Sequence, residues 1–195
     1  MSITMVPFEE GQKHLDWLAL CEAFRAGHQR PKAEIGDTFL YRDPDTLLSR
    51  AAWIDGMGLA VKSATVFPGN PGQGKPMING AVCVFDDANG ALEAVIDFHL
   101  VTKWKTAGDS LYAATRLARP DSETILIVGA GTVGRSLFEA YSAAFPKARF
   151  RVWNRTRANA DAMVADCPGL QVADDLEGAV READIITSAT MSTEP

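Results

Sequence analysis

Two kinds of residue in this 195-residue chain have types and spacing suited to chemistry: glycines in one short turn, and lysines in apolar surroundings. Residues 124–134 read TILIVGAGTVG. The apolar, β-branched run fits a parallel strand buried on both faces. Gly129, Gly131 and Gly134 then give G-x-G-x-x-G on the turn into a helix. Gly129 permits the tight turn, Gly131 lets backbone approach a pyrophosphate, and Gly134 lets the helix pack on the strand. Ala130, Thr132 and Val133 complete the turn, and the N–H groups that open the helix suit phosphate. This pattern predicts a dinucleotide site.

About 20 residues further on, an NAD-preferring site places a carboxylate for the ribose 2′-hydroxyl. This chain has Trp153-Asn154-Arg155-Thr156-Arg157 there. With two arginines and no carboxylate, a 2′-phosphate suits the position, so NADP(H) is expected over NAD(H), which stays possible. The alternative is that Arg155 and Arg157 are solvated residues at a helix start.

Residues 58–67 read as a strand whose alternation puts Lys62 beside Ala60, Ala64 and Val66, on a small apolar face. A lysine so placed could have a depressed pKa suited to proton transfer; it could instead pair with a carboxylate such as Asp97. A helix is expected over 102–118 with Thr102 as its cap, which puts Lys105 and Thr106 in its first turn. The dipole disfavours a cation there unless an anion binds between it and the free N–H groups. Otherwise Lys105 is simply exposed. Thr102 and Thr106 could donate to a substrate carboxylate or serve only the helix start. Pro68 and Asn70 could shape a pocket floor, or only make a turn.

The elements that must position these groups fall into two grammars. A first helix is expected over 9–26, with Trp17, Leu20, Cys21 and Phe24 as one stripe. Strands at 37–41 and 46–52 flank a turn at 42–45, and Asn89-Gly90 marks a hairpin between 78–85 and 91–98. Residues 30–98 therefore predict an antiparallel sheet. After a joint at 120–122, strands (124–128, 149–153, 170–173, 185–189) alternate with helices at 132–144, at 156–167 and one opened by Asp174. That is βαβαβαβ, a right-handed doubly wound arrangement. The expected fold is α/β: a substrate and dimerisation domain at 1–119, then a dinucleotide-binding domain at 120–195.

A net charge of −6 argues against nucleic acid or an anionic membrane as partner. No apolar run approaches the roughly 20 residues of a membrane span, and the first residues lack signal-peptide character. Cys21, Cys83 and Cys167 are far apart without metal-ligand spacing, so no metal is expected, and buried thiols in a reducing cytoplasm are the favoured reading.

Together these blocks resemble the ornithine cyclodeaminase/μ-crystallin family from about residue 45 to 195. GLAVKSATVFPGN (58–70), NGALEAVIDFHLVTKWKTA (89–107), ILIVGAGTVGRS (125–136), VWNRTRANA (152–160) and ADIITSATMSTEP (183–195) carry the likeness. The resemblance implies a homodimer with an antiparallel substrate domain followed by a Rossmann domain. It implies that Lys62 is the active-site lysine and that Lys105 lies on the substrate carboxylate, where Thr106 and Asn70 are the further candidates from the residues themselves. It implies that Asn154, Arg155 and Thr156 join the glycine turn around the cofactor, and Ala189 and Thr190, at the end of the fourth strand, are further candidates there. Lys105 stands where the family commonly has arginine, which puts ornithine in doubt as the substrate. A second carboxylate-binding cation is sought among Arg30, Lys32 and Arg42.

The family-default reaction is NAD(P)-dependent conversion of ornithine to proline and ammonia. The alternatives are NADPH-dependent ketimine reduction of pyrroline- or piperideine-2-carboxylate, and NADPH binding without catalysis. The Rossmann domain breaks off after its fourth strand. A fragment of a longer protein, inactive by itself and prone to associate through its open sheet edge, is therefore expected.

Overall fold

The computed structural model describes residues 2–190. Its elements are β1 (Thr4–Val6), α1 (Phe8–Gln12), α2 (Trp17–Gly27), β2 (Glu34–Arg42), β3 (Asp45–Ile54), β4 (Gly58–Val66), β5 (Ile78–Phe85), β6 (Leu92–Asp97), α3 (Phe98–Leu117), β7 (Thr124–Val128), α4 (Thr132–Ala144), β8 (Arg149–Trp153), α5 (Arg157–Asp166), β9 (Leu170–Val172), α6 (Leu176–Glu182) and β10 (Ile185–Ser188). Two compact units result: residues 2–15 with 25–102, and residues 16–24 with 103–190. The division falls within α2 and within α3.

In the first unit a six-stranded sheet runs β1-β6-β5-β4-β3-β2. Strands β2 to β6 are antiparallel neighbours, as the alternation and turn signals require. The sheet is nevertheless mixed, because β1 joins β6 in parallel. Three residues carry too little pattern to announce a strand. The expected helix over 9–26 is two helices. Asp16 Oδ1 accepts from the N–H groups of Leu18 (3.0 Å) and Ala19 (2.9 Å), which starts α2 afresh.

The expected helix over 102–118 begins four residues earlier. Asp97 caps it, accepting from Leu100 N–H at 2.9 Å. Starting there buries Phe98 and Leu100, at 4% and 3% exposure. Thr102 is thus within the helix and not its cap, and its hydroxyl is buried without a hydrogen-bond partner among the described residues.

The second unit is a parallel four-stranded sheet in the order β10-β7-β8-β9. Ile125, Leu126, Ile127 and Val152 are fully buried within it. On one face α6 packs Ala179 over Leu126 and Ala173, with Trp153 and Leu176 alongside. Asp175, rather than the expected Asp174, caps α6 by accepting from Gly178 N–H at 2.7 Å. Asp174 instead reaches Arg157 at 2.5 Å. Helix α3 contributes the buried stripe Trp104, Ala107, Leu111 and Ala114. Against it lies α2, with Trp17 stacked on Trp104 at 3.9 Å. The helices meet over Gly108, where an added Cβ would stand 2.6 Å from Leu20. Among the described residues no helix is long and apolar enough to cross a membrane.

Candidate active site

The glycine turn is built where β7 ends. Gly129 has φ +113°, and a Cβ there would lie 2.4 Å from the carbonyl oxygen of Ala189. Only glycine lets the turn and the end of β10 approach so closely. Gly134 is equally constrained: its Cβ would stand 2.1 Å from the Gly129 carbonyl oxygen. Gly131 differs, because nothing lies within 4 Å of the place its Cβ would take. It caps α4 with no side-chain hydrogen bond to the first turn. The start of α4 therefore leaves open space at a residue without a side chain, which fits a pyrophosphate. Thr132 and Val133 form that first turn, and Ala130 is buried behind it at 8% exposure. Ala189 is held there by its N–H, which donates to Val128 at 2.8 Å, and Thr190 follows.

The end of β8 reaches the same turn. Gly129 N–H donates to the Trp153 carbonyl at 2.8 Å, and Ala130 N–H donates to Asn154 Oδ1 at 3.1 Å. Asn154 Nδ2 donates to the Thr156 carbonyl at 2.9 Å. Arg155 is exposed and makes no ion pair among the described residues. Arg157 is engaged, with Asp161 at 2.9 Å and Asp174 at 2.5 Å. Asp161 first, then Asp174, holds its guanidinium pKa above the ordinary arginine value. Of the two arginines, Arg155 is the one left open to an anion. The structure thus brings Gly129, Ala130, Gly131, Thr132, Val133, Gly134, Asn154, Ala189 and Thr190 together, with Arg155 and Thr156 on the adjoining turn.

Lys105 and Thr106 are exposed in the third turn of α3. The expected placement in a first turn fails, because Asp97 starts the helix earlier, and with it goes the argument from free N–H groups. Lys105 instead pairs with Asp109, one turn on, at 2.5 Å. Its neighbour Lys103, which the sequence reading passed over, reaches Glu139 of α4 at 2.7 Å.

In the other unit Lys62 is half-buried on β4, with its ammonium 5.1 Å from the centroid of the Phe98 ring. It lies in a row across the sheet with Asp37, Arg50, Val82 and Ile96. Arg50 gives both its bonds to Asp37, at 2.7 and 2.6 Å. The register lines Lys62 up with Ile96 and not with Asp97, whose carboxylate caps α3. The Phe98 contact had no signal in the sequence beyond its place after β6. Asn70 Nδ2 donates to the Pro76 carbonyl at 2.9 Å, closing its own loop. Arg30, Lys32 and Arg42 are all exposed, and Arg42 pairs with Asp45 at 2.6 Å.

The chain belongs to the ornithine cyclodeaminase/mu-crystallin family, whose sequence model matches residues 52–195. It is 46% identical over 186 residues to the Delta(1)-pyrroline-2-carboxylate reductase of Paracoccus denitrificans, covering 93% of this chain and 59% of that protein. It is 36% identical over 138 residues to the ketimine reductase mu-crystallin of Rattus norvegicus, covering 70% of this chain and 44% of the relative. Its fold matches the Thermococcus litoralis Delta(1)-pyrroline-2-carboxylate reductase solved with NADH and L-proline, with TM-score 0.85 at 23% identity over 99% of this chain and 64% of that one. An archaeal alanine dehydrogenase dimer with bound NAD matches at TM-score 0.84 and 24% identity, over 97% of this chain and 61% of that one. The chain thus spans between 44% and 64% of the length of these proteins.

Proposed function

We propose that this chain is the substrate and cofactor-binding part of an NADPH-dependent ketimine reductase acting on a small cyclic imino acid such as pyrroline-2-carboxylate. The observation that carries the reading is 46% identity to the Paracoccus reductase across nearly the whole chain. Ornithine cyclodeamination, the family default, lacks support of that kind. When bound, the nicotinamide supplies the hydride. The chain's residues do the rest. The opening N–H groups of α4 beside Gly131 receive the pyrophosphate. Arg155 would hold the 2′-phosphate, with no carboxylate among residues 153–157 to repel it. Lys62 supplies a proton or a positive charge at the imine, its half-buried place over Phe98 limiting its hydration. Lys105 and Thr106 receive the substrate carboxylate, with Lys105 exchanging its Asp109 partner for it.

The site assembles in a homodimer. The support is the face of the six-stranded sheet on which Leu47, Ala51, Val61 and Cys83 stand half-buried around the hydrogen-bonded pair Ser49 and Ser63.

A stoichiometry assay on the complete protein tests the activity. Oxidation of one NADPH per pyrroline-2-carboxylate consumed is the expected result. Release of ammonia from ornithine with no net change in the cofactor would overturn it in favour of cyclodeamination.

A further inference from the structure

We propose that Asn154 is a positioning residue that clamps the glycine turn to the 2′-phosphate turn, and that the clamp requires an amide, not a carboxylate. This inference rests on the dinucleotide reading above. The backbone ladder between β7 and β8 ends with Gly129 N–H on the Trp153 carbonyl. One residue later the strands diverge, and the Asn154 side chain takes over. Its Oδ1 accepts from Ala130 N–H at 3.1 Å, in the middle of the pyrophosphate turn. Its Nδ2 donates to the Thr156 carbonyl at 2.9 Å, closing the turn that displays Arg155. The partners settle the amide's orientation, since an N–H needs an acceptor and a carbonyl needs a donor.

With both ends of the amide engaged, Asn154 acts on the cofactor through Ala130 and through Arg155-Thr156. Aspartate would keep the Ala130 bond. It would set a second oxygen against the Thr156 carbonyl and a negative charge beside the site for the 2′-phosphate. Alanine would leave the buried Ala130 N–H without an acceptor and free both turns.

Three proteins are compared, the full chain and its Asn154→Ala and Asn154→Asp variants, by titration with NADPH and NADH and by hydrogen exchange at the Ala130 amide. Asn154→Ala should weaken both dinucleotides and speed Ala130 exchange, each by about tenfold, the scale of one lost hydrogen bond. Asn154→Asp should keep Ala130 protected and NADH within about threefold, while NADPH weakens by about tenfold or more. Unchanged Ala130 exchange in Asn154→Ala, or equal losses of NADPH and NADH in Asn154→Asp, would overturn the clamp. Should Asn154→Ala fail to fold, the Asn154→Asp split decides alone. Failure of the unsubstituted chain to bind either dinucleotide would sink the dinucleotide reading, and Ala130 exchange would still test the clamp itself.

Discussion

Lys62 is an ammonium group set above an aromatic ring and next to a guanidinium in its row of the sheet. The second neighbour would raise the local positive potential were it not for Asp37, which takes both Arg50 bonds and draws that charge toward β2. The bonds to Asp37 hold the Arg50 guanidinium pKa above its ordinary value, and the same bonds hold the Asp37 carboxyl below its ordinary range. If Lys62 serves the imine, Lys62→Ala should lower kcat of the complete protein by about 10²- to 10⁴-fold, the range of general acid–base catalysis. NADPH affinity, measured by fluorescence titration, should stay within about twofold, because the dinucleotide groups belong to the other unit. An unchanged kcat would remove Lys62 from the chemistry. Arg155→Ala makes the complementary case. Loss of this arginine, which makes no ion pair among the described residues, should weaken NADPH by about tenfold or more and leave NADH nearly unchanged. Equal losses of the two dinucleotides would show that Arg155 does not discriminate between them.

At the scale of elements, a helix cap, a close contact and a carboxylate at a strand start decide where the working groups stand. Asp97→Ala should cost about 1 kcal/mol, seen as a lower denaturant midpoint, because it removes the cap of α3. Gly134→Ala drives a methyl group into the Gly129 carbonyl oxygen, so it should lower both Tm and dinucleotide affinity. Asp184 sits at the start of β10 and accepts from the N–H groups of Glu123 (2.9 Å) and Thr124 (3.0 Å), and from Arg119. The bond from Glu123 and then that from Thr124 hold its pKa below the usual carboxylate value. A group with a depressed folded pKa stabilises above its unfolded pKa and loses that effect as pH falls through the folded one. Stability should therefore drop below about pH 4, and Asp184→Asn should flatten that part of the profile in thermal melts.

The elements legible in the sequence are those whose signals are local. The glycine turn, α4 and β8 stand where spacing puts them, and so does the antiparallel run from β2 to β6. The start of α3 was not legible, because Asp97 and Thr102 are both good caps and only the burial of Phe98 and Leu100 chooses between them. The same holds for α6, where Asp174 and Asp175 compete and one is claimed by Arg157. The residues expected around the glycine turn do lie together in the structure, since their pattern encodes the turn. The links that tie the turn to β8 were not, because Ala130 and Asn154 lie 24 positions apart and no periodicity joins them.

At the scale of the whole molecule, the proposed dimer rests on the half-buried sheet face of Leu47, Ala51, Val61 and Cys83, to which Trp53 and Leu40 add side chains 51% and 61% exposed. Light scattering on the complete protein should give twice the chain mass, and Val61→Arg should return it to the monomer while leaving NADPH affinity in place. A monomeric unsubstituted protein would remove the dimer. The second unit also carries its own optical label. Two indoles 3.9 Å apart and 25° from parallel share their excited states, so Trp17 and Trp104 should produce a paired positive and negative circular-dichroism band. That couplet depends on α2 lying on α3. Its loss on heating would time the separation of those two helices independently of the melting of either sheet.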